Sequence, residues 1–245
     1  MKNKRLTAKD FDPKILELYD HYAHGKMTKR ELLKNIGKYT AAGVTALSVF
    51  NNLMPNYALA EQVNFNDPEI KANYITYNSK NGNGNTNAYY VKPSKITEKT
   101  SAVLVIHENR GLNPYIKDVA RRVAKAGFIA LAPDGLSSLG GYPGNDAEGK
   151  ILQKKIDREK LLNDFFNAFE FLYNHQDTNK KIGAVGFCYG GGVCNALAVA
   201  YPELSASVPF YGSQARSEDV KKIKTPLMLH YAEFDERINK GWPEY

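Results

Sequence analysis

Hydrophobic and polar positions along this chain change their period repeatedly, and each change marks an element. Phe11, Ile15, Leu16 and Tyr19 recur at helical spacing and predict a short polar helix within residues 1–26. From Val63 onward the pattern alternates. Residues 74–77 and 88–92 flank Asn81-Gly82-Asn83-Gly84-Asn85, and Asn-Gly turns between apolar runs predict a hairpin. Residues 102–106 form a continuous apolar run, suited to a strand covered on both faces. Asn113-Pro114 then opens a helix with Ile116, Val119, Ala120 and Val123 on one side. A second buried strand, 128–132, ends at Pro133-Asp134-Gly135. After a Gly/Ser loop at 137–149 comes a long helix at about 158–174, with Leu161, Leu162, Phe165, Phe166, Phe169 and Leu172 as its apolar set. Strands at 182–185, 206–210 and 226–230 follow, with a helix at 190–201 between the first two.

Strands alternating with helices imply an α/β fold, a mainly parallel sheet with helices on both faces. Chemistry in such sheets gathers at the carboxyl ends of the strands.

Composition narrows the functional classes. A length of 245 residues fits one α/β domain or two small ones, and 43% hydrophobic with 24% charged residues is ordinary for a globular chain. Two Cys provide neither a disulfide framework nor a Cys-rich metal site. No uncharged apolar run reaches the length of a membrane span. The net charge is +7, but Lys2, Lys4, Arg5, Lys26, Lys29, Arg30, Lys34 and Lys38 all fall within the first 38 residues. Elsewhere bases interleave with acids, as in Asp157-Arg158-Glu159-Lys160, the pattern of a solvated helix face. That distribution argues against nucleic acid as a partner.

Residues 1–60 admit two readings. A basic flank at 28–34, an apolar stretch at 41–50 and Ala58-Leu59-Ala60 outline a secretory signal. Lys29-Arg30-x-Leu32-Leu33-Lys34 also resembles a twin-arginine export signal, with Lys for the first Arg. The other reading is an amphipathic N-terminal helix packed on the domain. The first makes the protein exported or periplasmic and the second cytoplasmic. Either way the organisation is 1–60 followed by a domain at 61–245.

The strongest chemical signal is Gly186-Phe187-Cys188-Tyr189-Gly190-Gly191-Gly192, directly after the strand at 182–185 and opening a helix. A chain that turns from strand to helix within a few residues holds the residue at the bend in a strained conformation. Side chains at Gly186 and Gly190 would collide across that turn. The helix N-terminus favours a thiolate at Cys188 and a developing oxyanion. Cys194, on the same helix, lacks this context and is expected to pack. Glu108 ends a buried strand, where a carboxylate is costly unless bonded. Asp235 follows the last strand by a few residues, where a catalytic acid belongs. His107 and His230 end strands and read as packed residues of the sheet rim.

These residues resemble the dienelactone hydrolase family of the α/β-hydrolase superfamily, from about Tyr74 to the C-terminus. Three segments carry the likeness: Val105-Ile106-His107-Glu108-Asn109-Arg110-Gly111, Gly186-x-Cys188-x-Gly190-Gly191, and His230-x-x-x-x-Asp235-x-x-Ile238. The resemblance implies hydrolysis of small esters or enol lactones by a Cys-His-Asp triad, without metal or organic cofactor. It makes Cys188 the nucleophile, Asp235 the acid and Glu108 a carboxylate that holds and activates the thiol. The backbone N–H groups of Tyr189 and Asn109 would form the oxyanion hole. The family's base follows its acid, yet no His occurs among residues 236–245. The expectation is therefore a C-terminally truncated member, lacking the last strand, the histidine loop and the closing helix. Its activity would be impaired. The alternative is a catalytically inactive remnant or binding module of the same fold.

Overall fold

The computed structural model describes residues 8–23, 26–40, 44–54 and 56–245. Lys2, Lys4, Arg5, His24 and residues 41–43 of the leader lie outside them, as do the side chains of Ala58 and Leu59. The chain divides into two compact units, Met1–Ala60 and Glu61–Tyr245.

The first unit holds more than the one helix anticipated. Helices α1 (Pro13–Ala23), α2 (Lys29–Ile36), α3 (Ala46–Leu53) and α4 (Tyr57–Ala60) follow one another. Each is too short to persist alone in water, and the first three share a core of Ile15, Leu32, Ile36, Val49 and Phe50. Thr28 begins α2 with a capping box: its hydroxyl accepts from the Glu31 amide, and the Glu31 carboxylate accepts from the Thr28 amide. The sequence therefore contained a helix start where a basic flank also fits. No described helix is long and apolar enough to cross a membrane.

The second unit is a six-stranded sheet with β1 (Ile70–Ser79), β2 (Gly84–Pro93), β3 (Thr100–Ile106), β4 (Ile129–Pro133), β5 (Thr178–Phe187) and β6 (Ala206–Phe210). Its order is β1-β2-β4-β3-β5-β6. The pairs β1–β2 and β2–β4 are antiparallel, and β4–β3–β5–β6 are parallel. The sheet is thus mixed, with the parallel part where the chemistry was sought. Helices α5 (Pro114–Lys125), α6 (Asp146–Gln153), α7 (Arg158–Asn174), α8 (Tyr189–Ala200), α9 (Ser217–Val220) and α10 (Glu236–Asn239) complete it.

Alternation along the central strands supplies two cores. Leu104, Ile106, Leu131, Ile182 and Ala184 face Phe165, Phe169 and Leu197 of α7 and α8. Val105, Ala130, Ala132 and Phe187 face Ile116, Val119 and Ala120 of α5. Buried strands flanked by helices on both sides must be apolar at every position, and this explains the unbroken run read at 102–106.

Two segments depart from the sequence reading. The Gly/Ser loop contains α6, capped by Asn145, whose side chain accepts from the Glu148 amide. The strand anticipated at 226–230 is only a pair of parallel bridges to β6, at Ser207–Leu227 and Phe210–His230. Four backbone bonds form there: Ser207 N–H to Pro226 O, Met228 N–H to Ser207 O, His230 N–H to Pro209 O and Tyr211 N–H to His230 O. The bond between them, which residue 209 should donate, cannot exist because Pro has no N–H.

Candidate active site

The site forms where β3, β5 and β6 end. Cys188 stands between β5 and α8 with φ 53° and ψ −110°, a conformation costly for any residue with a side chain. Its amide donates to Phe210 O at 3.0 Å, which ties the bend to the end of β6. The glycines around it are required by contact. A Cβ on Gly186 would strike the Gly190 carbonyl and lie 2.9 Å from Cys194 Sγ. One on Gly190 would strike the carbonyl of Ile106 and come within 2.7 Å of that of His107. The elbow thus packs directly on the end of β3, so the first turn of α8 and the 107–110 segment are neighbours. Tyr189 and Asn109, the two amides assigned to the oxyanion hole, lie on these two segments.

Cys188 is partly exposed, whereas Cys194 is fully buried. Burial pushes the Cys194 thiol well above its ordinary range, so it remains a packed thiol.

Adjacent residues at the end of β3 separate. The His107 ring is buried against Phe165 at 5.4 Å, edge to face. Its Nε2 accepts from the Gly135 amide at 3.0 Å, so the proton lies on Nδ1, 2.6 Å from Glu108 O. With both nitrogens engaged and burial lowering its pKa, His107 is a neutral structural group. Glu108 turns the other way. Its carboxylate meets Arg110 Nε at 3.3 Å and accepts from the Tyr211 hydroxyl at 3.4 Å.

Around Glu108 a charged ladder continues. Arg110 also bonds Asp146 at 3.2 Å, and Asp146 accepts from the Tyr142 hydroxyl at 2.9 Å. The Tyr142 amide donates to Asp134 Oδ2 at 3.1 Å, which fastens this loop to the end of β4. Tyr211 is a bulky residue at φ 40°. Burial, then the neighbouring Glu108, push its hydroxyl far up, and it stays a neutral donor. Sequence reasoning missed Tyr211, Asp146 and the place of Tyr142. Tyr211 was findable, since it follows β6 directly at a carboxyl end. Asp146 depends on the fold of the 137–157 segment and had no local signal.

Asp235 is buried at the start of α10. Its Oδ1 accepts from the Ile238 amide at 3.2 Å, the bond of a helix N-cap, and Arg237 lies 3.8 Å from Oδ2. The segments that carry Cys188 and Tyr189 on one hand and Glu108 and Asn109 on the other are therefore neighbours, while the described bonds of Asp235 are local. His230, exposed, stacks on Phe210 with ring centres 4.2 Å apart. Among the described residues no group of three His, Cys, Asp or Glu converges as a metal-ligand set.

Comparison with known proteins adds the lineage. The model for the dienelactone hydrolase family matches residues 86–243, and a second model, described as YqhI-like, matches residues 2–38. YghX of Escherichia coli K12, described as a hydrolase fragment, is 68% identical over 114 residues, covering 46% of this chain and 97% of YghX. Protein usf of Aquifex pyrophilus is 38% identical over 148 residues, covering 56% of this chain and 62% of that protein. A carboxymethylenebutenolidase homolog of Xenopus tropicalis is 31% identical over 153 residues, covering 62% and 61%. The chain spans nearly all of YghX but 62% of the Aquifex and 61% of the Xenopus protein. Among solved structures, a promiscuous dienelactone hydrolase-like phosphotriesterase from metagenomic libraries superposes with TM-score 0.57 at 24% identity, covering 72% of this chain and 76% of that one. A dienelactone hydrolase from Anabaena variabilis gives TM-score 0.55 at 20% identity, covering 72% and 80%. These two show the same α/β-hydrolase fold.

Proposed function

The chain belongs to the dienelactone hydrolase family, and from that premise we propose that it cleaves small esters or lactones with Cys188 as nucleophile. The observation that supports this most is the elbow itself. A half-exposed thiol held at positive φ at the N-terminus of α8 is a costly arrangement that packing alone does not require.

In this reading Glu108 accepts the Cys188 proton as sulfur attacks the acyl carbon. The N–H groups of Tyr189 and Asn109 hold the resulting oxyanion. The C–O bond breaks, the leaving oxygen takes the proton from Glu108, and a thioester remains on Cys188. Water, giving its proton to Glu108, then attacks the thioester and releases the acid and the thiol. Tyr211 and Arg110 orient Glu108 through the bonds described above. Asp235 is the residue matching the family's acid. Well-placed acid–base catalysis is worth ~10²–10⁴ in rate. Substrates whose leaving oxygen is already acidic, such as enol lactones and aryl esters, need that help least.

The test is a leaving-group series. Turnover should fall steeply from nitrophenyl to alkyl acetates and vanish in Cys188→Ser, while Cys194→Ser retains it. Turnover that survives in Cys188→Ser would refute the reading. A second reading, a binding module without catalysis, draws on the commitment of Asp235 to capping α10. It predicts no ester turnover in the parent chain together with saturable binding of a lactone.

A further inference from the structure

The sequence Ala58-Leu59-Ala60 plays no part in the reaction above, and the residues directly after it are fixed with unusual firmness. Two charged side chains of α5 grip Glu61, Gln62 and Val63. Asp118 Oδ1 accepts from the Gln62 amide at 3.0 Å and from the Val63 amide at 2.9 Å. Arg121 donates through Nε to the Val63 carbonyl and through Nη2 to the Glu61 carboxylate at 3.1 Å. Asp118 is 2% exposed and Arg121 6%, and Arg122 pairs with Asp118 Oδ2 at 3.1 Å. Buried charges are costly unless bonded. Here a large share of the bonding comes from the backbone of residues 62 and 63. Val63 itself is buried in the core that holds Tyr89, Ile116, Val119 and Ala120.

We propose that the peptide bond between Ala60 and Glu61 is a processing site, where a signal peptidase removes residues 1–60 during export and leaves Glu61 as the new N-terminus. Several independent boundaries coincide at this bond. Ala58 and Ala60 are the small residues that such a peptidase requires at the third and first positions before its cut. Helix α4 ends at Ala60. The second compact unit begins at Glu61, and the grip of α5 begins at the same residue.

That coincidence has a physical reason. Segments between domains are ordinarily exposed and make few contacts, and chain ends fray unless they are tied down. Asp118 and Arg121 tie down the first three residues after the bond, using only groups of the second unit. A domain that begins at Glu61 therefore keeps its first residues in place. In the cut itself, the oxygen of water joins the Ala60 carbonyl carbon, the C–N bond breaks, and the Glu61 nitrogen leaves as an amine. The peptidase and water supply the whole step.

The test is expression of the full chain in Escherichia coli, the organism of YghX, with cytoplasm and periplasm separated and the intact mass and N-terminal sequence read in each. The expected product is a periplasmic chain that begins Glu61-Gln62-Val63. Ala60→Leu should lower its yield at least tenfold while uncut chain accumulates. In the purified product, NMR should show the Gln62 and Val63 amides exchanging at least tenfold more slowly than in an unstructured peptide of the same sequence. Asp118→Ala should be cut at the same bond and then trimmed, with chains that start beyond Val63 forming most of the periplasmic pool. A parent chain that keeps residues 1–60 in every fraction would overturn the proposal, as would a cut at another bond or equal processing of Ala60→Leu. Unprotected Gln62 and Val63 amides would overturn the role given to Asp118 and Arg121, whether or not Asp118→Ala folds. None of these readings uses ester turnover, so a failure of the Cys188 assignment leaves them unchanged.

Discussion

On the nucleophile side, the ends of β3, β5 and β6 and the helices α6 and α8 are bound to one another within a few residues. The bend at Cys188 is tied to β6 by its amide, α8 rests on β3 through Gly190, and α6 rests on the Arg110 carbonyl through Gly149. Glu108, Arg110, Asp146, Tyr142 and Tyr211 then bond across these elements. On the acid side, residues 226–245 meet the sheet through two bridges and the His230 stack, and side-chain bonds from Gln214 to Ile238 O and from the Tyr245 hydroxyl to Asn195 fasten them further. Met228, Phe234 and Trp242 are exposed there. Asp235 bonds only within its own short segment among the bonds described. The contrast teaches that the thiol's environment is built by backbone packing between strand ends, while the Asp235 carboxylate is held by local capping in a segment that side-chain bonds fasten to the domain.

The comparison can be broken by substitution on either side. The largest effect is expected for Gly190→Ala. Its methyl has no room between α8 and the end of β3, so unfolding free energy should drop by about 1–3 kcal/mol, with ester turnover lost alongside it. Denaturant melts and nitrophenyl acetate assays of the same preparation check this. A variant of parental stability and rate would mean that the elbow is not clamped as described. The smallest effect is expected for Asp235→Ala. Loss of an N-cap costs about 0.5–2 kcal/mol in favourable cases, and the low end applies to a four-residue helix such as α10. Turnover should change less than threefold or so, because the described bonds of Asp235 do not reach the thiol. A collapse of turnover in Asp235→Ala, with stability intact, would instead show that the acid side works as a full catalytic partner.

The sequence made the nucleophile side legible to different depths. The elbow was readable because Gly186, Cys188 and Gly190 act within one strand–helix turn, so spacing carries the geometry. His107 and Glu108 were separable because adjacent side chains at a strand end point apart. Helix α6 escaped notice because its segment opens with Gly and Ser residues, and its start at Asn145 is a single-residue signal. Asp146 meets Arg110 only when α6 docks on the Arg110 loop, a long-range event with no pattern along the chain. The strand read at 226–230 failed for a reason seated elsewhere. Its apolar run is genuine, but Pro209 on the neighbouring strand removes the donor that would have completed the ladder.

The central claim is that Cys188 carries the acyl group. Rapid mixing with an excess of nitrophenyl acetate, acid quenching and mapping of peptides by mass tests it directly. A burst approaching one equivalent of nitrophenol is expected, with an acetyl group on the peptide bearing Cys188 and the Cys194 peptide unmodified. Sustained hydrolysis without any acyl group on Cys188 would contradict it.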